Sequence, residues 1–168
     1  MPTAREIYRT KPSDEDVAEV LAQREIATLG TLNEDGSVHL AYVLFLFDDG
    51  LFRVETSSVT RKARNVAARG TASIIVSGRV IAGRTLMVEA EGTARIVGPP
   101  ESVELNRRVL AKYVVDEALD DLNATWSRFD DVTIELRPTR WRSWTNTLLR
   151  AEAEAGTGRR YGELWKPD

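Results

Sequence analysis

Two Asp-Gly steps placed close together constrain this chain more than any other feature in it. Asn33-Glu34-Asp35-Gly36 and Asp48-Asp49-Gly50 each interrupt β-rich sequence. An Asp-Gly step supplies the positive-φ residue that a tight hairpin needs. The runs on either side, residues 26–32, 37–47 and 51–56, are rich in branched and aromatic side chains. Together they predict an antiparallel three-strand meander.

Further elements follow on either side. Residues 12–24 read as an opening helix: Ser13 is a good N-cap, Asp14, Glu15 and Asp16 suit the positive end of the helix dipole, and Val17, Val20 and Leu21 form an apolar stripe. A short helix is expected over 60–68, strands over 71–77 and 85–97, and a loop over 78–83. Gly98-Pro99-Pro100 breaks the chain before helices over 101–113 and 116–128. A last strand pair, 132–136 and 139–144, is expected to bend at Pro138, and 148–155 reads as a final helix. About six or seven strands in one small domain tend to close on themselves, so the expectation is an α+β fold centred on an antiparallel barrel with peripheral helices.

Composition narrows the chemistry. The 168 residues include no cysteine and one histidine, His39. Disulfides and thiolate metal sites are excluded, a multi-His zinc site cannot be assembled, and a hydrolytic triad would have to use His39. An enzyme built from this chain should therefore rely on a bound cofactor for its reactive chemistry. No metal is expected. No apolar run is long enough to span a membrane, and the first residues lack an apolar signal core, so a cytoplasmic protein is expected. The net charge of −3 argues against nucleic acid as a partner. The charge is nevertheless uneven. Residues 57–88 contain no acid but carry Arg61, Lys62, Arg64, Arg69, Arg79 and Arg84, and residues 136–151 repeat that bias. Basic segments within an acidic protein suit a discrete anionic ligand.

The run Thr56-Ser57-Ser58-Val59-Thr60-Arg61-Lys62-Ala63-Arg64-Asn65 concentrates that signal. Cations in the first turn of a helix oppose the helix dipole, which an anion bound to the free N–H groups would reconcile. Ser57, Ser58 and Thr60 add hydroxyl donors ahead of the helix. Taken alone, the run fits a solvated cationic face equally well. If it is a phosphate site, alanine at Arg61 or at Lys62 should each weaken binding by about 1.5–3 kcal/mol.

The ordered set of segments resembles a family. Ile26-Ala27-Thr28-Leu29, Asp35-Gly36-Ser37-Val38-His39, Glu55-Thr56-Ser57-Ser58, Arg61-Lys62-Ala63-Arg64-Asn65, Val88-Glu89-Ala90-Glu91-Gly92-Thr93-Ala94 and Pro138-Thr139-Arg140-Trp141-Arg142-Ser143-Trp144 together resemble the pyridoxamine 5′-phosphate oxidase-like superfamily, over residues 17–145. The Arg-Lys-x-Arg-Asn run points to its flavin- and deazaflavin-dependent oxidoreductase branch. The resemblance implies a Greek-key split β-barrel over residues 1–146, with 147–168 as a C-terminal helix and tail, and a homodimer with two cofactor sites in its interface. It also implies coenzyme F-420, or FMN as the alternative, acting on a small organic substrate. The cofactor phosphate would lie against Thr56, Ser57, Ser58, Arg61 and Lys62. The ring would run along Tyr42, Val43, Leu44 and Phe45, and the partner subunit would contribute around Arg142 and Trp144. Many relatives have Pro near position 42 and Trp near position 45, where this chain has Tyr42 and Phe45. Two other activities fit the same resemblance: a non-catalytic flavin or haem holder, and pyridoxamine phosphate oxidation. His39 reads as a structural strand residue, Trp126 and Trp165 as packing, and Glu89 and Glu91 as partners of Arg79 or Arg84 across a solvated sheet face.

Overall fold

The computed structural model describes residues 2–7, 12–80 and 84–166. It is an α+β molecule built on a seven-stranded antiparallel sheet, a split β-barrel with helices around it. The strands are β1 (Ala27–Leu32), β2 (Val38–Val43), β3 (Leu46–Asp48), β4 (Leu51–Ser57), β5 (Thr71–Val80), β6 (Arg84–Val97) and β7 (Asp131–Thr145). The helices are α1 (Ala4–Ile7), α2 (Asp14–Ala22), α3 (Arg61–Arg69), α4 (Glu101–Ala111), α5 (Asp116–Trp126) and α6 (Thr147–Thr157). Among the described residues, no helix is long and apolar enough to cross a membrane.

Both Asp-Gly turns form hairpins, with Gly36 at φ 82 and Gly50 at φ 73. The meander expected from them does not form. The sheet order is β2-β1-β5-β6-β7-β4-β3, so β2 pairs with β1 while β3 pairs with β4. The single strand expected over 37–47 is cut at Leu44-Phe45, and its halves become the two ends of the sheet order. One stretch of chain thus joins both edges of the sheet, which closes the barrel at the split. Tyr113 stabilises the cut. Its hydroxyl accepts the Phe45 N–H at 3.2 Å and lies 2.9 Å from the Phe45 carbonyl and 3.0 Å from that of Glu25. The backbone groups freed from strand pairing are satisfied by a side chain far along the sequence.

Two other expectations are corrected. The expected loop over 78–83 is hairpin at both ends: β5 runs to Val80, and Val80 pairs with Arg84. Residues 81–83 lie outside the described set. Gly78 is a packing glycine, because a Cβ there would meet Gln23 Oε1 at 2.6 Å and Val20 at 3.0 Å, where α2 crosses the sheet. The expected final strand pair is one continuous strand, β7, with a register shift opposite Glu91/Gly92 that absorbs Pro138. Proline is tolerated there because a bulge needs no ladder bond from it.

The barrel interior is filled by Leu29, Phe45, Phe52, Val54, Ile74, Val76, Leu86, Ile134 and Leu136, all within 1% of full burial. Val20 and Leu21 of α2 and Val66 of α3 complete this cluster. The expected Ser13 cap is present as a capping box, with the Asp16 N–H donating to Ser13 Oγ at 3.1 Å. α6 buries no residue; it holds the following 3-10 turn (Tyr161–Leu164) through Glu154, which accepts the Tyr161 N–H at 2.7 Å.

Candidate functional site

The candidate site is organised by the passage from β4 into α3. Asp131 at the start of β7 pairs with Ser57, and the Ser58 N–H donates to the Asp130 carbonyl at 2.8 Å. Thr60 caps α3: its hydroxyl accepts the Ala63 N–H at 3.4 Å, donates to the Ser57 carbonyl at 2.8 Å and lies 3.1 Å from Thr56 Oγ1. The cap therefore takes the third N–H of the helix. Among the described residues, no acceptor takes the N–H of Arg61 or Lys62. Nor does any carboxylate form an ion pair with Arg61, Lys62 or Arg64. Other cations nearby are committed: Arg53, nearly buried, pairs with Asp48 and with Glu135 at 3.2 Å, and Arg95 reaches Glu135 at 2.6 Å.

A cleft of about 360 Å³ gathers Tyr42, Val43, Leu44, Glu55, Thr56, Ser57, Lys62 and Trp126. Six of these, Tyr42, Val43, Leu44, Thr56, Ser57 and Lys62, are residues that the sequence singles out. The structure distributes the remaining ones elsewhere. Arg61 points into an adjoining depression with Asn33, Asp35, Ser37 and Arg64. There Ser37 holds the Asp35 carboxyl below its ordinary range through its hydroxyl and N–H, with a smaller contribution from Arg61. Ser58 is exposed beside the cleft. The Thr56 side chain is 4% exposed, and its hydroxyl is engaged by Thr60. The Phe45 ring is fully buried, tilted against Phe52 and covered by the Lys112 ammonium at 3.7 Å. Arg142 and Trp144 lie at the far end of β7. Arg142 pairs with Glu89 at 2.6 Å, and the Trp144 indole N–H is buried without an acceptor among the described residues. Asp131 and Arg142 stand eleven positions apart along β7, and Arg142 is not among the residues that line this cleft. Glu91 pairs with Arg140 at 2.6 Å, so Glu89 and Glu91 both find cations on β7, while the side chains of Arg79 and Arg84 lie outside the described residues.

The cleft also holds groups that the sequence reading passed over. Glu55 lines it, with the carboxyl of Asp131, which is 3% exposed, beside it. Burial, then the neighbouring Asp131, pushes Glu55 up to about 7, against the pull of Lys62. Asp131 is also pushed up by burial, although the Asn106 amide donates to it at 2.8 Å. Burial lowers Lys62, and Glu55 opposes that shift. Glu55 was legible in principle, since it shares strand parity with Ser57. Asp131 was not, because only the β4–β7 pairing brings it there. Trp126 arrives from the end of α5, which packs against α4 over the barrel.

Chemically, the cleft offers one ammonium, two free backbone N–H groups, a serine hydroxyl, a carboxyl pair able to hold a proton, and two aromatic rings. No group of three or more metal-ligating side chains occurs among the described residues. An anion at Lys62 attached to a planar ring against Tyr42 or Trp126 matches this inventory.

Residues 13–145 match the family profile described as pyridoxamine 5′-phosphate oxidase. No curated protein matches the chain. Among solved structures, a conserved hypothetical protein from Mycobacterium tuberculosis is 24% identical, with TM-score 0.71 over 84% of this chain and 89% of that one. An F420 reductase is 20% identical, with TM-score 0.56 over 74% of this chain and 94% of that one. The haem storage protein of Vibrio cholerae is 19% identical, with TM-score 0.60 over 78% and 92% of the respective chains. At these identities the likeness is one of fold.

Proposed function

The chain belongs to the pyridoxamine 5′-phosphate oxidase family, and on that premise we propose that it is an oxidoreductase that moves a hydride between a flavin-type cofactor and a small organic substrate. Coenzyme F-420 is the favoured cofactor and FMN the alternative. The observation that carries this reading is Lys62: an unpaired cation beside the free N–H groups of α3, in a cleft that also holds Ser57, Tyr42 and Trp126. These donors suit a phosphate, and the rings suit the planar system attached to it.

When bound, such a cofactor supplies the redox chemistry. The chain's own residues bind and orient. Lys62, Ser57 and the N–H groups of Arg61 and Lys62 would hold the phosphate. The β2–β3 junction at Tyr42, Val43 and Leu44 would border the ring. Arg61, in the next depression, would act from the side, and Thr56 would shape the wall through its backbone. Arg142 and Trp144 would enter from a second copy, so the functional unit in this reading is a homodimer. Cofactor binding is assigned to residues 1–146, with 147–168 as an appendage.

The test is a titration of FMN against coenzyme F-420, read by flavin absorbance and by deazaflavin fluorescence. Lys62→Ala is expected to weaken binding by about 1.5–3 kcal/mol, as for a charge-assisted hydrogen bond. For Arg61→Ala the equal loss expected from the sequence is revised to less than about 1 kcal/mol, because Arg61 is exposed and lines the next depression. Micromolar binding of neither cofactor, or unchanged affinity in Lys62→Ala, would overturn the reading. Binding without turnover on any electron acceptor would favour a holder, the role of the Vibrio cholerae haem storage protein.

A further inference from the structure

The cleft at Lys62 has a feature that a simple anion site would avoid: a carboxyl in its wall. Among the described residues lining it, Lys62 is the one cation and Glu55 the one acid. The two share the cleft without forming an ion pair, which leaves room for a ligand group between them. Behind Glu55, Asp131 accepts the Asn106 amide and stands as a second carboxyl that adds no positive charge. Among the described residues, the other cations of α3, Arg61 and Arg64, line the neighbouring depression and not this cleft. On β4, Arg53 is held by Asp48 and Glu135. α4 presents Asn106 and Ser102 to this part of β7, both uncharged, and α5 presents Trp126. β2 presents Tyr42.

We propose that this cleft selects the phosphate of its ligand by charge: Glu55, lining the cleft with Lys62 and backed by Asp131, favours a singly charged phosphodiester and turns away a doubly charged phosphomonoester. The proposal rests on the cofactor reading above. One ammonium balances one negative charge. A phosphomonoester has its second ionisation near pH 6, so at pH 8 it brings a second charge to a wall that is itself anionic. An added unit of like charge about 6 Å away costs on the order of tenfold or more in affinity at a partly exposed site. Below about pH 6 both ligands are singly charged and Glu55 is protonated, so the preference should fade. A site with Lys62 and no acid would behave oppositely, gaining affinity for the dianion as pH rises. The distinction bears on the two cofactors, since FMN is a phosphomonoester and coenzyme F-420 a phosphodiester.

The test keeps the ring constant. Riboflavin, FMN and riboflavin 4′,5′-cyclic phosphate are titrated into the full chain between pH 5.5 and 8.5, and flavin fluorescence is followed. Expected are at least about tenfold tighter binding of the cyclic diester than of FMN at pH 8, and a ratio within about threefold at pH 5.5. Glu55→Gln, which preserves shape and can donate to Asp131, should reduce the pH 8 ratio to within about threefold by strengthening FMN. FMN binding as tightly as the diester at pH 8 in the unaltered protein overturns the charge selection alone, and this arm needs no variant. If neither phosphate ligand binds better than riboflavin, the phosphate site itself fails, and the proposal with it.

Discussion

At the scale of single residues, Glu55 couples the site to stability. Burial and the adjacent Asp131 raise its carboxyl to about 7 from an ordinary value of 4.5. Between those values the folded chain keeps a proton that the unfolded chain has lost. Its contribution is therefore fully present below the unfolded value and is lost as pH rises through the folded one. Asp131, also raised, acts in the same direction. Glu55→Gln should accordingly raise the melting temperature by a few degrees at pH 8 and by clearly less at pH 5, measured by calorimetry. An equal shift at both pH values would show that Glu55 does not change its protonation between them on folding. Lys112 has the opposite sign: burial lowers it to about 8, so its cost falls as pH rises from 8 toward its unfolded value. Lys62 and Ser57 were legible in the sequence because the signal is local, a cationic first turn behind a hydroxyl-rich strand end. Asp131 and Trp126 were not, because they reach the cleft through strand pairing and helix packing.

At the scale of elements, the turns and caps were legible and the pairings were not. Asp35-Gly36, Asp49-Gly50 and the Ser13 capping box are settled by residues within one turn of each other. The break at Leu44-Phe45 depends on the Tyr113 hydroxyl, and the length of β7 depends on how β6 accommodates Pro138. Gly92 is the hinge of that accommodation. It faces Pro138 at the register shift, and a Cβ on it would lie 2.0 Å from the Arg137 carbonyl oxygen and 2.9 Å from the Thr139 nitrogen. Those atoms are backbone and cannot rotate away. Gly92→Ala should destabilise the protein by about 3 kcal/mol or more, the upper end for overpacking. In a domain of this size that corresponds to a fall of about 6–12 °C in melting temperature. A change under about 2 °C would mean that β6 and β7 can separate here without penalty.

At the scale of the whole molecule, the outer face of the sheet is the unresolved tension of the isolated chain. An edge strand ordinarily turns polar residues to water. β2 instead exposes Val38, Leu40 and Tyr42, at 62%, 64% and 84%, and His39 and Ala41 take the other parity. Leu32 of β1 and Ile75 of β5 extend the same apolar face, and Glu89, Glu91 and Arg140 border the groove along it. A contiguous exposed apolar face with a charged rim has the composition of a protein interface. A second copy is the occupant this reading favours, because the proposed function brings Arg142 and Trp144 to the cofactor from a partner subunit. Tyr42 belongs to both the exposed face and the cleft wall, so assembly and cofactor binding should be linked. Leu40→Asp puts a charge at the centre of β2 without disturbing the core, since Leu40 is mostly exposed. Sedimentation velocity should show a dimer for the unaltered chain and a monomer for Leu40→Asp, with the same far-ultraviolet circular dichroism. Cofactor affinity should fall at least about tenfold with the loss of the dimer, a coupling of about 1.4 kcal/mol. A monomeric variant with undiminished affinity would place the whole cofactor site within one chain and remove Arg142 and Trp144 from it.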